Sequence, residues 1–174
     1  MQQPLKPVEE IANGSVEERI MRLAGEASIE VNVQDLKDLQ SSRPFLAPGT
    51  KILVTFLPKQ EWSASEAACL ALKQAGFAPV PHIPVRLLRD AGMLDRVFAG
   101  LIEKGQAQEV LLLSGDYPHP HGPYACVEDV LRTGVLKQFG LQRVCFAGHP
   151  EGHPHVSIEE IRRAERAKAQ SAAA

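Results

Sequence analysis

The chain has 174 residues, enough for one domain with a real core, since a domain of this size hides about 70% of its extended-chain surface. A formal net charge of −2 with no run of five like charges gives no electrostatic case for nucleic acid or an anionic membrane, and no apolar run approaches the roughly 18 residues of a membrane span. The 3 cysteines are odd in number and far apart, so they are predicted to be reduced core thiols, and with no charged-then-apolar signal pattern at the N-terminus the expected setting is the cytoplasm.

Residues 1–14 are polar and proline-bearing and are read as a flexible arm; residues 15–174 form the folded domain. Ser15 and Glu18 make an S-x-x-E capping box, with Ile20, Leu23 and Ala24 following at helical spacing. The same signature recurs at Ser63 with Glu66 and at Ser157 with Glu160, marking two further helix starts. Between the helices lie five short runs rich in β-branched residues: 28–32 (SIEVN), 51–56 (KILVTF), 78–83 (APVPHI), 109–114 (EVLLLS) and 143–148 (RVCFAG). The second and fourth are almost unbroken apolar runs, as expected of parallel strands buried on both faces. Gly76 and Gly105 stand where helices would end in a left-handed residue. The pattern is a helix followed by five β/α units, hence an α/β fold with a parallel sheet. A doubly wound sheet can close with five strands, whereas a (β/α)8 barrel usually needs about 250 residues.

In either architecture functional side chains gather at the carboxyl ends of the strands. Glu30, between Ile29 and Val31, points to the face opposite theirs; inside a closed barrel it would be poorly solvated, with a raised pKa suited to a general acid, and on an edge strand it would simply face solvent. Asp116 follows LLLSG at a strand end, where Gly115 permits close approach of a ligand; it reads either as an acceptor for a heterocycle N–H edge or as a turn aspartate capping a helix over 124–138. His119, His121, His149, His153 and His155, with Glu151, offer donors for zinc, but neither H-E-x-x-H nor C-x-x-C occurs, and the interleaved prolines favour hydrogen bonding to a phosphorylated aromatic ligand. No metal ligand is assigned. Glycine-rich phosphate fingerprints and G-x-S-x-G are both missing.

The segments LLLSGDYPHPHGPYACVEDVLRTGVL and VCFAGHPEGHPHV resemble the methylenetetrahydrofolate reductases, as do SIEV, VTFLP and PHIPVR, over roughly residues 26–168. The resemblance implies a (β/α)8 TIM barrel, of which this chain holds five units, that binds FAD noncovalently. It also implies transfer of hydride from NADH or NADPH through the flavin to 5,10-methylenetetrahydrofolate, giving 5-methyltetrahydrofolate. By that likeness Glu30 is the acid that opens the folate's methylene bridge, and Asp116 faces the flavin pyrimidine edge and the pterin. Thr55 and Phe56 lie beside nicotinamide and flavin; His82, Ser114, Gly115, Tyr124, Ala125, His149 and His153 line the FAD site; Lys168 meets the diphosphate. Ser114 stands where the family has arginine and His149 where it has tyrosine, and the double proline after the first-strand glutamate is absent. Two other functions remain in view, a noncatalytic flavin- or folate-binding module and a zinc-dependent hydrolase. The exposed edges of five strands would also invite pairing with a second copy.

Overall fold

A computed structural model of the chain describes residues 14–173, except 142, 150 and 155. The predicted arm therefore lies outside the described residues apart from Gly14, and so does His155. The elements run α1 (Val16–Gly25), β1 (Ile29–Val31), α2 (Leu36–Ser42), β2 (Lys51–Val54), α3 (Trp62–Gln74), β3 (Ala78–Pro84), α4 (Ala91–Ala99), β4 (Val110–Leu113), α5 (Val127–Leu131), α6 (Val135–Gln138), β5 (Val144–Phe146) and α7 (Ile158–Ala173). Single 3-10 turns follow β1, α2 and β3, and a π turn, Gly100–Lys104, prolongs α4.

The five strands pair in parallel in the order β1-β2-β3-β4-β5. That order has no reversal, so the doubly wound arrangement with its switch point is not the one formed. Alternation along the strands divides their side chains between two faces. Ile52, Val54, Ile83, Val110 and Leu112 face the helices and pack with Ala68, Cys69 and Leu72 of α3, Leu94, Val97 and Phe98 of α4, and Val127 and Val130 of α5. Glu30, Lys51, Leu53, Val80, His82, Leu111 and Cys145 share the other face by register. Here β2 departs from expectation: its burial alternates, with Lys51 and Leu53 only half-buried. Its apolar run does not make it a strand buried on both faces: among the described residues the helices pack on the face of Ile52 and Val54.

Two prolines, Pro79 and Pro81, remove amide donors from β3. The strand pairs with β2 through Ala78–Pro81 and with β4 through His82–Pro84, so His82 stands where pairing passes from one neighbour to the other. At the amino ends of the strands Glu109, 4% exposed, accepts from Lys51 Nζ at 2.8 Å and from Arg143 Nη2. A carboxylate so buried is tolerable only when paired, and this pairing ties β2, β4 and β5 together on the open face.

The helix ends follow local chemistry, with corrections at some of them. Ser15 and Ser157 cap as predicted: Glu18 N donates to Ser15 Oγ at 3.2 Å and Glu160 N to Ser157 Oγ at 3.3 Å, each glutamate reaching back to its serine amide. Ser63 does not cap. Helix α3 begins two residues before a Ser63 cap would start it, at Trp62 after Glu61, and Glu66 instead lies over Gly100 of the π turn with Lys104 3.6 Å from its carboxylate. Gly76 ends α3 as expected, at φ +90, with Gly76 N on Lys73 O and Phe77 N on Leu72 O. Gly105 does not play that part: its φ is −74, and the left-handed residue is Gln106 at φ 55. The π turn inserts one residue, with Gly105 N bonded to Gly100 O, and shifts the left-handed position along by one. Glycine is needed at 105 for closeness, since a Cβ there would stand 3.1 Å from Cys69 Cβ in α3.

The helix read over 124–138 is two short ones, broken where Gly134 takes φ +76 and Thr133 Oγ1 donates to Val130 O at 2.6 Å. Its cap is Asp129, not Asp116: Asp129 Oδ2 accepts from Ala125 N at 2.8 Å and Cys126 N at 3.0 Å. Cysteines 69, 126 and 145 are all free thiols; burial pushes Cys69 up to about 12 and the half-buried other two upward as well. Cys126 lies at the α5 cap and not within a helix.

Burial pushes the Asp129 carboxyl upward, but the amides of Cys126 and Ala125, the Cys126 thiol and Arg132 outweigh it and hold the group below its ordinary 3.8. A depressed carboxyl contributes stability above the unfolded-state value and loses it as pH falls through the folded one. Asp129→Asn is expected to lower stability near pH 7 by about 1 kcal/mol in chemical denaturation and to flatten the decline of stability below about pH 4.

Candidate functional site

The parallel strands aim their carboxyl ends, and the loops that follow, to one edge of the sheet. Glu30 stands mid-strand in β1 on the face away from the helices, as its neighbours Ile29 and Val31 predict. Its side chain is 59% exposed, so the desolvated setting expected of a closed interior is not what surrounds it. Leu53 of β2 pairs with Val80 of β3, and two residues beyond Val80 on the same face lies His82, 9% exposed. Its Nε2 is buried without a hydrogen-bond partner among the described residues, 3.9 Å from Glu30 Oε2. Burial pushes the His82 pKa below the ordinary 6.5, and the Glu30 carboxylate opposes that shift without cancelling it. The imidazole is therefore neutral at pH 7, with a ring nitrogen left to serve a ligand or water.

Thr55 continues the edge beyond β2, its amide and hydroxyl both donating to Val31 O, at 2.9 and 3.2 Å. The next residue, Phe56, packs its half-buried ring on Trp62 with centroids 4.1 Å apart. Beyond β4, Ser114 O accepts from Arg86 N, and Gly115 sits at φ +85 with the space for a Cβ taken up 3.1 Å from Pro84 Cβ and from the Tyr117 ring. Any larger residue would be strained at 115 by both backbone and neighbours. Asp116 follows in the exposed turn.

Tyr124 and Ala125 part company. Tyr124 is buried in the helix-side core, where burial and then the carboxylates of Asp90 and Asp95 push its pKa up; Ala125 is exposed. The loop after β5 brings His149 and His153 together, centroids 5.1 Å apart and edge to face. Lys168 of α7 reaches Ala147 O at 3.2 Å, at the carboxyl end of β5. Of the residues singled out in the sequence, the structure thus brings Glu30 into direct reach of His82 and sets Thr55 beside their strand ends. Ser114 with Gly115, and Lys168 with the histidine loop, stand at the ends of β4 and β5. Tyr124 it places apart.

Among the described residues no three histidine, cysteine, aspartate or glutamate side chains gather closely enough to hold a metal ion. No helix of the described residues is long and apolar enough to cross a membrane. No family model matches the chain.

Sequence reasoning passed over Arg86. Its Nε donates to Ala125 O at 2.9 Å and Nη1 to Tyr117 O at 2.9 Å, and its own carbonyl accepts from His121 N at 2.7 Å. One side chain and two peptide groups thus fasten the whole β4–α5 loop to the end of β3. The signal was there, since Arg86 follows the apolar run of β3, but a cation at a strand end does not reveal that its partners are carbonyls 31 and 39 residues away.

A histidine whose pKa falls on folding binds protons less well in the native state, so stability drops as pH falls through 6.5. Between pH 7.5 and 5.5 the melting temperature of the wild type should fall. His82→Gln should flatten that slope, and Glu30→Gln, which removes the opposing carboxylate, should steepen it.

Proposed function

We propose that the chain carries five consecutive units of a (β/α)8 barrel of the methylenetetrahydrofolate reductase type. The reaction is flavin-dependent reduction of 5,10-methylenetetrahydrofolate to 5-methyltetrahydrofolate with NADH or NADPH. The observation that carries this reading is the meeting of Glu30 and His82 on the open face of a sequentially ordered parallel sheet. Such an order is compatible with the winding of a barrel, whose interior the two side chains would then face. The orphaned Nε2 of His82 supplies the test of fit for a cofactor: a buried polar atom without a partner costs about 1–3 kcal/mol and is relieved by a ligand that bonds it.

In this reading His82, Ser114, Gly115, Ala125, His149, His153 and Lys168 hold FAD, with Asp116 at its pyrimidine edge. When bound, the flavin supplies the relay that accepts hydride from NAD(P)H and returns it to the folate. Thr55, its hydroxyl donated to Val31 O, offers a fixed wall beside Phe56 for the nicotinamide. Glu30 moves the proton, delivering it to the amine nitrogen released as the methylene bridge opens. Covering its exposed carboxyl with folate removes water from it, and loss of water favours the protonated form that an acid needs. Neutral His82, its Nε2 3.9 Å from the Glu30 carboxylate and without a partner among the described residues, would hydrogen-bond the bound ligand without adding a charge beside Glu30.

Glu30→Gln in the flavin-loaded protein should slow reoxidation by the folate by about 100-fold while leaving flavin reduction by NAD(P)H near the wild-type rate. Stopped-flow absorbance separates the two half-reactions. Equal losses in both would remove Glu30 from the role of acid, and a purified chain that takes up no FAD in titration would remove the flavoenzyme reading itself.

A further inference from the structure

Beside this edge lies a cleft of about 410 Å3 between the loops that follow β2, β3 and β4. Its walls are aromatic: Phe56 stacked on Trp62 from the first loop, Tyr117 and His121 from the third with ring centroids 5.8 Å apart. Arg89 and Lys59 line it too, both exposed, and neither side chain has a hydrogen bond or ion pair with a described residue. Against these two cations stands one lining carboxylate, Glu61.

The walls are held from behind. Arg86 fixes the backbone at Tyr117 and His121, as described above. A Cβ on Gly122 would run into the carbonyls of Leu88 and Arg89, so only glycine lets the third loop close onto the second. Asp90 Oδ1 accepts from Met93 N at 2.7 Å and sets the direction of the chain next to Arg89. In the first loop Gln60 Nε2 donates to Ser65 Oγ at 2.7 Å, and Lys59 takes a left-handed φ of 67. All three loops are thus tied before any ligand arrives, the arrangement that lowers the cost of ordering a site on binding.

We propose that this cleft binds a flat aromatic ring carrying an anionic group. The ring would lie among Phe56, Trp62 and Tyr117, where aromatic surface favours offset stacking or edge contact. The anion would take the unpaired guanidinium of Arg89, whose planar fork suits carboxylate and phosphate alike. A volume of 410 Å3 matches a mononucleotide or an arylamide of similar size. This site stands independently of the flavin reading, with Phe56 the one residue common to both.

Trp62 is the only tryptophan in the chain, so its fluorescence reports the cleft directly. Two probes distinguish the sources of such an anion, AMP for nucleotides and p-aminobenzoylglutamate for folate-like carboxylates, with adenosine and inorganic phosphate as controls. Saturable quenching of Trp62 is expected with at least one of the two probes. AMP, if it is that one, should bind about tenfold tighter than adenosine. Phosphate alone should not quench, and Arg89→Ala and Arg89→Gln should each weaken the anionic probe about tenfold while leaving the melting temperature unchanged. Neither probe saturating below about 1 mM, or an affinity indifferent to both Arg89 variants, would overturn the proposal. FAD uptake, read by its own visible absorbance, should be unaffected in the Arg89 variants; absence of FAD uptake with AMP still bound would sink the flavin reading and leave this one standing.

Discussion

The structure depends on one constraint: among the described residues the helices pack on one face of a parallel sheet. Parallel strands normally lie buried on both sides, because their connections place helices over them. Here the connections step from each strand to the next in sequence order, and every apolar side chain on the helix side finds a partner in one core. The other face must satisfy its own polar groups. It does so at the two ends of the strands: the paired Glu109 with Lys51 and Arg143 at the amino ends, and Glu30 with His82 toward the carboxyl ends. The first cluster is closed, since the buried carboxylate has a cation on each oxygen. The second is open, since the buried nitrogen has no bond among the described residues and the carboxylate is exposed. That asymmetry sets the end with chemistry apart from the end that only holds the strands.

Arg86 passes this order on from sheet to loops. A guanidinium has five donors in a fixed plane, and spending them on carbonyls of a distant loop converts a mobile connection into a wall. The β4–α5 loop contains prolines at 118, 120 and 123, which lack amide donors of their own, so its carbonyls need outside partners and Arg86 meets two of them. The ring pair at 56 and 62 and the edge-on pair at 117 and 121 then take fixed positions on either side of the β3–α4 turn.

Much of this order was legible in the sequence. The five strands fall where β-branched runs lie between helix signals, because burial on the helix side selects those residues whatever the rest of the fold does. The capping boxes at Ser15 and Ser157 read correctly because a cap is local, closing within three residues. Ser63 failed because its glutamate had a nonlocal alternative: Glu66 lies across Gly100, an arrangement that depends on α4 and is invisible from α3 alone. Gly105 failed for a related reason, since a glycine required for closeness and one required for a left-handed turn look the same in one dimension. Glu30 was read onto the correct face by alternation, yet its solvation depends on what covers that face and alternation carries no information on that. Arg86 went unread because its partners are main-chain atoms, which leave no mark on residue type.

The π turn at the end of α4 has a meaning for how the chain tolerates changes in length. A π turn holds one residue more than the α turn it replaces, at the same position along the axis. Removing one residue between Gly100 and Lys104 would restore ordinary helical bonding without altering where β4 begins, and Gln106 would keep the left-handed position it holds at φ 55. The segment is therefore a place where an insertion or deletion of one residue is absorbed inside a helix, leaving the register of the strands, and with it the pairing of Leu111 beside His82, as it was.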